Sequence, residues 1–496
     1  MNLNINFTLL APEILLTVLA FVVIIMGLLI SNKSKNMLGY ISAAGILASI
    51  VYIVGNGMIA NVSYFYDSIV VDPLSQIFKL IFLIVSLMAV IASIEYFKDN
   101  HNQDEYYALI LMSTVGMMVV ASANDLIALF VGFELASMST YVLAGFEKKN
   151  PASLEAALKY FIIGSLSSAL MLFGMSLIYG ITSTTNIPGI IEFFKTAPLM
   201  AESSLGLLAM VFLVAGFGFK MALVPFHMWA PDTYEGSPSV ISSLLAAGSK
   251  KMGFVAAFRV LVLALFAIRA DVQFVFAILA IITMTYGNIV ALSQRSIKRM
   301  LAYSSIAQAG YIALAFVVMT PMSIAGGIVL ALGHALMKGG AFIAVAVVGY
   351  MVLSDNKNAK NIDDLDNFAG LGKRAPITAL GFFVFFLALA GIPPSAGFIG
   401  KLLLFYSITV EAISLSSSWL LLIVVIAILN SALSIYYYAR VIKYMYVLPP
   451  KGEKIKEPAA YVVAILIAIV GTIGIGLYPE PFINMATNAA QVVLGV

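Results

Sequence analysis

The chain reads as long apolar runs separated by short polar punctuation. At about 20 apolar residues per crossing, it divides into fourteen expected membrane spans. They lie near 8–31, 37–60, 73–96, 106–122, 124–146, 151–180, 203–225, 237–268, 271–293, 298–320, 322–353, 375–410, 417–445 and 458–482. The longest runs are expected to contain breaks or tilts, and a short helix is expected between Pro225 and Gly236. Every loop is short, the longest being those around 181–202 and 354–374, so no soluble domain fits between the spans. The tail after 482 is also short. The first run has no charged stretch before it and no small-residue cleavage site, so it reads as a span rather than a signal peptide.

Basic residues test this division. Alternate loops carry Lys33 and Lys35; Lys98; Lys148 and Lys149; Arg295, Lys298 and Arg299; Lys357, Lys360, Lys373 and Arg374; and Arg440, Lys443, Lys451, Lys454 and Lys456. The opposite loops hold only Lys195 and Arg269. By the positive-inside rule the first set is cytoplasmic. A multi-pass protein of a prokaryotic cytoplasmic membrane is expected, with both termini outside.

Composition narrows the chemistry. Of 496 residues, 62% are hydrophobic and 10% charged, with a mean hydropathy of +1.03; a soluble chain carries about 25% charged residues. The lack of cysteine excludes thiolate-held iron–sulfur clusters, disulfides and cysteine catalysis. Three histidines make a haem or metal centre unexpected, and a net charge of +3 does not suggest nucleic acid. No phosphate-cradling glycine loop, nucleotide fingerprint or Ser/His/Asp set stands out. The methionines and aromatic residues read as packing and lipid-facing groups.

What remains is charge inside apolar runs. The stretch 216–251, GFGFKMALVPFHMWAPDTYEGSPSVISSLLAAGSKK, places Lys220 five residues before Pro225. A charge in hydrocarbon costs about 2.5–3.5 kcal/mol on insertion scales, and such residues mark ion pathways. Pro225 has no N–H for the carbonyl one turn back, so the helix is expected to break just beyond Lys220. Broken helices at membrane depth line cavities or are buried in protein. The pattern points to a pathway for a cation, the proton above all.

Glu134 lies near the middle of its span and pairs plausibly with Lys220. Burial disfavours both charges while proximity favours them, so such a pair is switchable; the alternative is a static ion pair holding two helices. Lys250 and Lys251 are adjacent and about 100° apart on a helix, so only one is expected to face the interior; Lys250, after Gly248 and Ser249, is favoured. His334 and Lys338 share a helix face and are positioned to bridge two half-channels, the alternative for His334 being a packing hydrogen bond. Lys401 follows Pro393–Pro394, where freed carbonyls and water can exchange its proton; the alternative is snorkelling. Lys79, early in its span, is expected to snorkel, and Arg259 to hold a pair partner or water. His227 reads as part of a cytoplasmic intake or as a bend residue. Asp232 and Glu235 read as helix caps or proton gatherers.

The two proline breaks lie five spans apart, so they run in opposite directions, as in inverted-repeat transporters. The expected architecture is an all-α polytopic membrane protein with about fourteen transmembrane helices, two inverted five-helix repeats and two broken helices. The divisions are a three-helix segment at 1–105, repeats at 106–268 and 269–445, and a last transmembrane helix at 446–496.

Three stretches, KMALVPFHMWAPDTYEGSPS (220–239), QRSIKRMLAYSSIAQAGY (294–311) and GIPPSAGFIGK (391–401), resemble the antiporter-like subunits of respiratory complex I and its relatives, which are related to Mrp antiporter subunits. The similarity runs over about 110–445. APDTYEGSP and GIPPSAGFIGK are most similar to the N type, the homologue of mitochondrial subunit 2, and the short C-terminal part argues against the L type. The resemblance implies Glu134 and Lys220 as a mid-membrane pair, Lys250 as the connecting lysine and Lys401 as the terminal one. Lys338 matches a polar position on the central axis. It implies a proton-translocating subunit, without a cofactor of its own, of a complex oxidising NADH or F420H2 and reducing a quinone. Flavin, iron–sulfur clusters and quinone would belong to partner subunits; M and L types and small A, J and K types are the expected membrane neighbours. The rival readings are an Mrp-type sodium/proton antiporter subunit without redox partners, and a structural membrane spacer.

Overall fold

The computed structural model describes residues 7–57, 61–355 and 361–495. Lys357 and Lys360 lie outside them, as does the side chain of Lys33. Helices α1 (Ala11–Leu29) and α2 (Asn36–Gly55) lead to an antiparallel ribbon of β1 (Val62–Tyr64) and β2 (Ile69–Val71), with Tyr64 opposite Ile69. Then come α3 (Pro73–Tyr96), α4 (Gln103–Ser122), α5 (Leu126–Ala144), α6 (Pro151–Thr182) and two short helices, α7 (Ile187–Thr196) and α8 (Pro198–Ala201). The first broken helix is α9 (Ser204–Met221) with α10 (Trp229–Gly236). A composite helix over 239–264 follows: α11 (Ser239–Leu244), a π-helical turn at Leu245–Ser249, α12 (Lys250–Ala257) and a second π-helical turn at Phe258–Ala264. Next are α13 (Arg269–Ser293), α14 (Ile297–Ala313), α15 (Ala315–Val318), the long α16 (Pro321–Asp355) and α17 (Leu371–Arg374). The second broken helix is α18 (Pro376–Ala390) with α19 (Ala396–Ser414), and α20 (Ser418–Tyr446), α21 (Ala459–Leu477) and α22 (Glu480–Leu494) complete the chain.

Among the described residues, thirteen helices are long and apolar enough to cross a membrane. The composite helix 239–264 fills the remaining expected span, and α18 shares a span with α19. The fourteen expected crossings are therefore all helical. The ribbon, α7, α8 and α22 were not foreseen. Nor does every long run break: α16 is continuous over 35 residues, about 52 Å at 1.5 Å per residue, so it tilts or overhangs a hydrocarbon core of about 30 Å.

Helix starts are capped by the polar punctuation. Asp72 accepts from the N–H of Ser75 at 2.7 Å with Pro73 behind it, and Asp125, Asn150, Ser203, Ser296 and Ser395 cap α5, α6, α9, α14 and α19 in the same way. Small residues set the close approaches. A Cβ on Gly116 of α4 would lie 2.5 Å from the backbone N of Ala136 on α5, so only glycine fits there. Burial is graded across the bundle: the apolar stretch of α14 is 100% buried, whereas those of α1, α2, α20 and α21 are 33% buried and turn residues such as Leu29 and Val470 outward. The core lies around α14, α3, α16 and 239–264.

Two of the buried ion pairs among the described residues join helices through the bundle. Arg259 donates bidentately to Asp72 at 2.6 and 2.8 Å and also to the carbonyl of Ala121 at 2.8 Å, tying 239–264 to the start of α3 and the end of α4. Lys79 does not snorkel: it is 2% exposed and its Nζ lies 2.7 Å from Glu13 of α1. The carboxylate in the first apolar run provides the counter-charge that snorkelling would otherwise seek in water.

Removing one partner of a buried pair strands the other, at about 3–5 kcal/mol. Asp72→Ala and Arg259→Ala are each expected to lower the thermal unfolding midpoint in detergent strongly. The Asp72→Ala/Arg259→Met double variant is expected to lose less than the sum of the two single losses.

Candidate functional site

At the first break, Ala222 adopts a left-handed conformation (φ 55°) and Leu223 N–H returns to the carbonyl of Gly218. Val224 N–H goes to Thr283 Oγ1 at 3.0 Å, and the indole N–H of Trp229 covers the carbonyl of Phe219 at 2.8 Å. Freed backbone groups are thus satisfied within protein, as membrane depth demands. Lys220, at the end of α9, is completely buried. Its Nζ donates to Ser137 Oγ at 2.9 Å and to Tyr160 OH at 3.0 Å, with the rings of Phe133, Tyr141 and Tyr160 at 5.3–5.8 Å. Glu134 does not touch it. The glutamate is half-buried and accepts a hydrogen bond from Ser168. The ammonium thus holds a hydroxyl one turn along α5 from the carboxylate, and the expected direct pair is not formed.

The central lysines gather around α14. Lys250 Nζ donates to Ser305 Oγ at 2.9 Å and to the Ser305 carbonyl at 3.1 Å, beneath the ring of Tyr234. Lys338 donates to Ser304 Oγ at 2.8 Å and to the carbonyl of Leu301 at 3.3 Å, and Ser304 in turn contacts Tyr438 OH. Lys251 is as deeply buried as Lys250, which corrects the expectation that only one faces inward. It donates to the carbonyl of Ala246 at 2.8 Å and meets His334 Nδ1 at 2.5 Å. The reason is that α12 is buried on every side, so two side chains about 100° apart both stay inside, one toward α14 and the other toward α16.

At the second break, Gly391 is left-handed (φ 88°), and a Cβ there would lie 3.1 Å from Lys401 Cδ. Lys401 Nζ donates to the freed carbonyls of Leu389 at 2.9 Å and Ala390 at 3.3 Å, and to Ser431 Oγ at 3.0 Å, with Tyr311 beneath at 4.4 Å. Gln308 of α14 donates to the same Leu389 carbonyl at 2.8 Å. One polar face of α14 therefore offers Ser304 to Lys338 and Ser305 to Lys250 directly, and its Gln308 meets the carbonyl that Lys401 also holds.

Five lysines, 220, 250, 251, 338 and 401, are at most 3% exposed, and none has a carboxylate within 4.0 Å among the described residues. Their partners are hydroxyls, carbonyls, one imidazole and aromatic faces. Lys79 and Arg259, by contrast, hold carboxylates directly.

Beside the loops that carry Lys98, Lys148 and Arg295, a cavity of about 1040 Å³ opens. Glu147, Asp232, Glu235, Lys298, Arg299 and Asp363 line it. Arg299 holds both Asp232 and Glu235 at 2.8 Å, and Lys159 holds Asp232 at 2.7 Å. Burial keeps the Asp363 carboxyl above the usual carboxylate range, with Lys298 at 3.5 Å pulling the other way. Asp232 and Glu235 belong to α10, whose Tyr234 lies against Lys250. His227 sits in the first break, edge-on to Tyr286 at 4.7 Å.

The family model described as NADH:quinone oxidoreductase/Mrp antiporter, TM matches residues 123–431, which enclose every one of these unpaired lysines. The chain belongs to this family. It is 55% identical over 495 residues to the F(420)H(2) dehydrogenase subunit N of Methanosarcina mazei, covering 98% of each chain. It is 40% identical over 496 residues to the NADH-quinone oxidoreductase subunit N of Trichlorobacter lovleyi, covering 99% of this chain and 98% of that one. Its fold matches a chain of respiratory complex I from Thermus thermophilus with a TM-score of 0.79 at 29% identity, over 95% of this chain and 98% of the other. The antiporter-like resemblance of the three sequence stretches is thereby borne out.

Sequence reasoning missed Lys251 as an interior group and also missed the polar partners of this family member's lysines: Ser137, Tyr160, Ser304, Ser305, Gln308 and Ser431. The stretch 294–311 had pointed to α14, but its serines and glutamine carry no charge to draw the eye. A hydrogen bond to a charged group contributes about 1.5–3 kcal/mol. Tyr160→Phe is expected to cost that much in thermal stability. Tyr160→Phe and Ser137→Ala are expected to be non-additive in a double-mutant cycle, because both act on one ammonium.

Proposed function

We propose that this chain is the N-type proton-translocating membrane subunit of an oxidoreductase complex that passes electrons from NADH or F420H2 to a quinone. The observation that carries the reading is the row of buried lysines without counter-carboxylates. Static ion pairs, as at Arg259–Asp72, are what a structural spacer requires. An ammonium held only by hydroxyls and carbonyls can lose its proton and leave neutral partners satisfied. Relatives at 55% and 40% identity carry dehydrogenase and oxidoreductase subunit names, which favours a redox-driven complex over a free-standing sodium/proton antiporter.

In this reading, 106–268 and 269–445 are inverted repeats, the cavity side is cytoplasmic and both termini are outside. Asp232, Glu235 and Asp363 gather protons in the cavity. Charge changes in neighbouring membrane subunits act on half-buried Glu134. A shift of Glu134 alters the field at Lys220, which is held by Ser137 one turn along α5, and Lys220 releases or regains its proton. The displaced charge passes to Lys250, across the polar face of α14 with Lys338 and His334, and reaches Lys401, which exchanges with the outside. Electron transfer, with flavin, iron–sulfur clusters and quinone, takes place in partner subunits; M-, L-, A-, J- and K-type chains are the proposed membrane neighbours.

Lys220→Ala is expected to leave the complex assembled and oxidising its donor while this subunit's share of proton uptake into vesicles is lost. Normal uptake by the assembled variant would overturn the proposal. Mass spectrometry of partners retained on gentle detergent extraction is expected to find flavin and iron–sulfur subunits. An exclusively membrane-embedded antiporter set would replace this reading with the Mrp-type one.

A further inference from the structure

Lys251 has no place in the path just described, yet it is buried completely in the same core. Lys250 and Lys251 diverge from one backbone position: Lys250 turns to Ser305 on α14, Lys251 to His334 on α16. Lys251 Nζ and His334 Nδ1 are 2.5 Å apart, and His334 Nε2 is buried without a protein partner. Neither residue has a carboxylate within 4.0 Å among the described residues, and the ionisable groups that act on the two are Lys250 and Lys338.

Two basic nitrogens in contact, without a counter-ion and in weakly screening surroundings, cannot both carry a full charge. At most one of them is charged at a time. We propose that Lys251 and His334 form a two-seat proton latch that passes positive charge from helix 239–264 to α16 and so sets the order in which Lys250 and Lys338 are charged. This rests on the proton-translocating reading above.

The step is a single proton shift. In one state Lys251 is an ammonium donating to the lone pair of Nδ1, and His334 is neutral with its hydrogen on Nε2. In the other, one N–H bond of Lys251 has broken and an Nδ1–H bond has formed, leaving a neutral amine and an imidazolium. The dyad carries one positive charge throughout. With the charge on Lys251 the adjacent Lys250 is discouraged from holding a proton. With it on His334 that restraint passes to Lys338, one turn along α16. Lys251 acts through its neighbours and is a positioning residue in this scheme.

The test uses the whole complex in sealed vesicles, reading donor oxidation and proton uptake together. Lys251→Arg keeps length and charge but cannot give up a proton, and Lys251→Met removes both. Both are expected to cut this subunit's share of proton uptake by about tenfold or more while donor oxidation with an uncoupler persists. Normal uptake in Lys251→Arg overturns the latch, because a fixed charge would then suffice. Normal uptake in Lys251→Met also overturns it, and leaves the proton-translocating reading standing if Lys220→Ala fails alongside. Normal uptake in Lys220→Ala removes that reading and the latch with it. Should neither Lys251 variant assemble, His334→Gln offers Lys251 an acceptor oxygen that takes no proton; normal uptake there overturns the latch, and loss of uptake supports it.

Discussion

An ammonium group inside hydrocarbon must find oxygen, and this requirement shapes the centre of the molecule. A continuous helix offers few free acceptors, because its carbonyls are already committed to the N–H groups four residues on. Breaking the helix releases them. Lys401 takes two carbonyls at the end of α18, and Lys220 sits at the last turn of α9 with hydroxyls from α5 and α6. The breaks and the lysines therefore depend on each other. Without the lysine and the α14 glutamine, the carbonyls of Leu389 and Ala390 would keep fewer partners at membrane depth. Without the break, Lys401 would lack its acceptors.

The same physics separates two classes of buried charge. Arg259 and Lys79 hold carboxylates and join helices that are distant in sequence. Such pairs are costly to open, since each partner would be left stranded. The five lysines without a carboxylate, 220, 250, 251, 338 and 401, hold groups that stay satisfied, or nearly so, in the absence of the proton. Fixed pairs thus belong to the frame of the bundle, and soft contacts to its polar axis. α14 is the element that makes the axis continuous: it is buried all round, and one of its faces reaches the lysines of three different helices.

How much of this was legible depended on the signal each residue carries. Apolar length gave the crossings, proline gave both breaks, and isolated charge gave Lys220, Lys250, Lys338 and Lys401 as buried groups. Lys251 was misplaced because a 100° step turns a side chain outward only where the helix has an outer face, and α12 is enclosed on every side. Lys79 was misread because its partner, Glu13, comes from a different span and no spacing rule links them. Ser137, Tyr160, Ser305 and Gln308 could not be singled out, since such residues occur throughout membrane helices and only the packing shows which of them face an amine. The separation of Glu134 from Lys220 was likewise invisible: both lie at a suitable depth, but depth does not fix which side of α5 the carboxylate takes.

That separation bears on how the proposed relay would be driven by chemistry in other subunits. Were Glu134 locked onto Lys220, an outside charge would have to break a buried pair before anything moved. Instead the carboxylate is half-buried with Ser168, and the ammonium is held by two neutral hydroxyls. In the proposed mechanism, a charge arriving at the rim would act on Glu134 through its partly exposed face, and the change would reach Lys220 as an altered field rather than as a broken bond. Coupling of that kind would need no repacking of the helices that carry both residues. The frame pairs at Arg259 and Lys79 fit such a scheme, because they hold the bundle together independently of the charges on its axis.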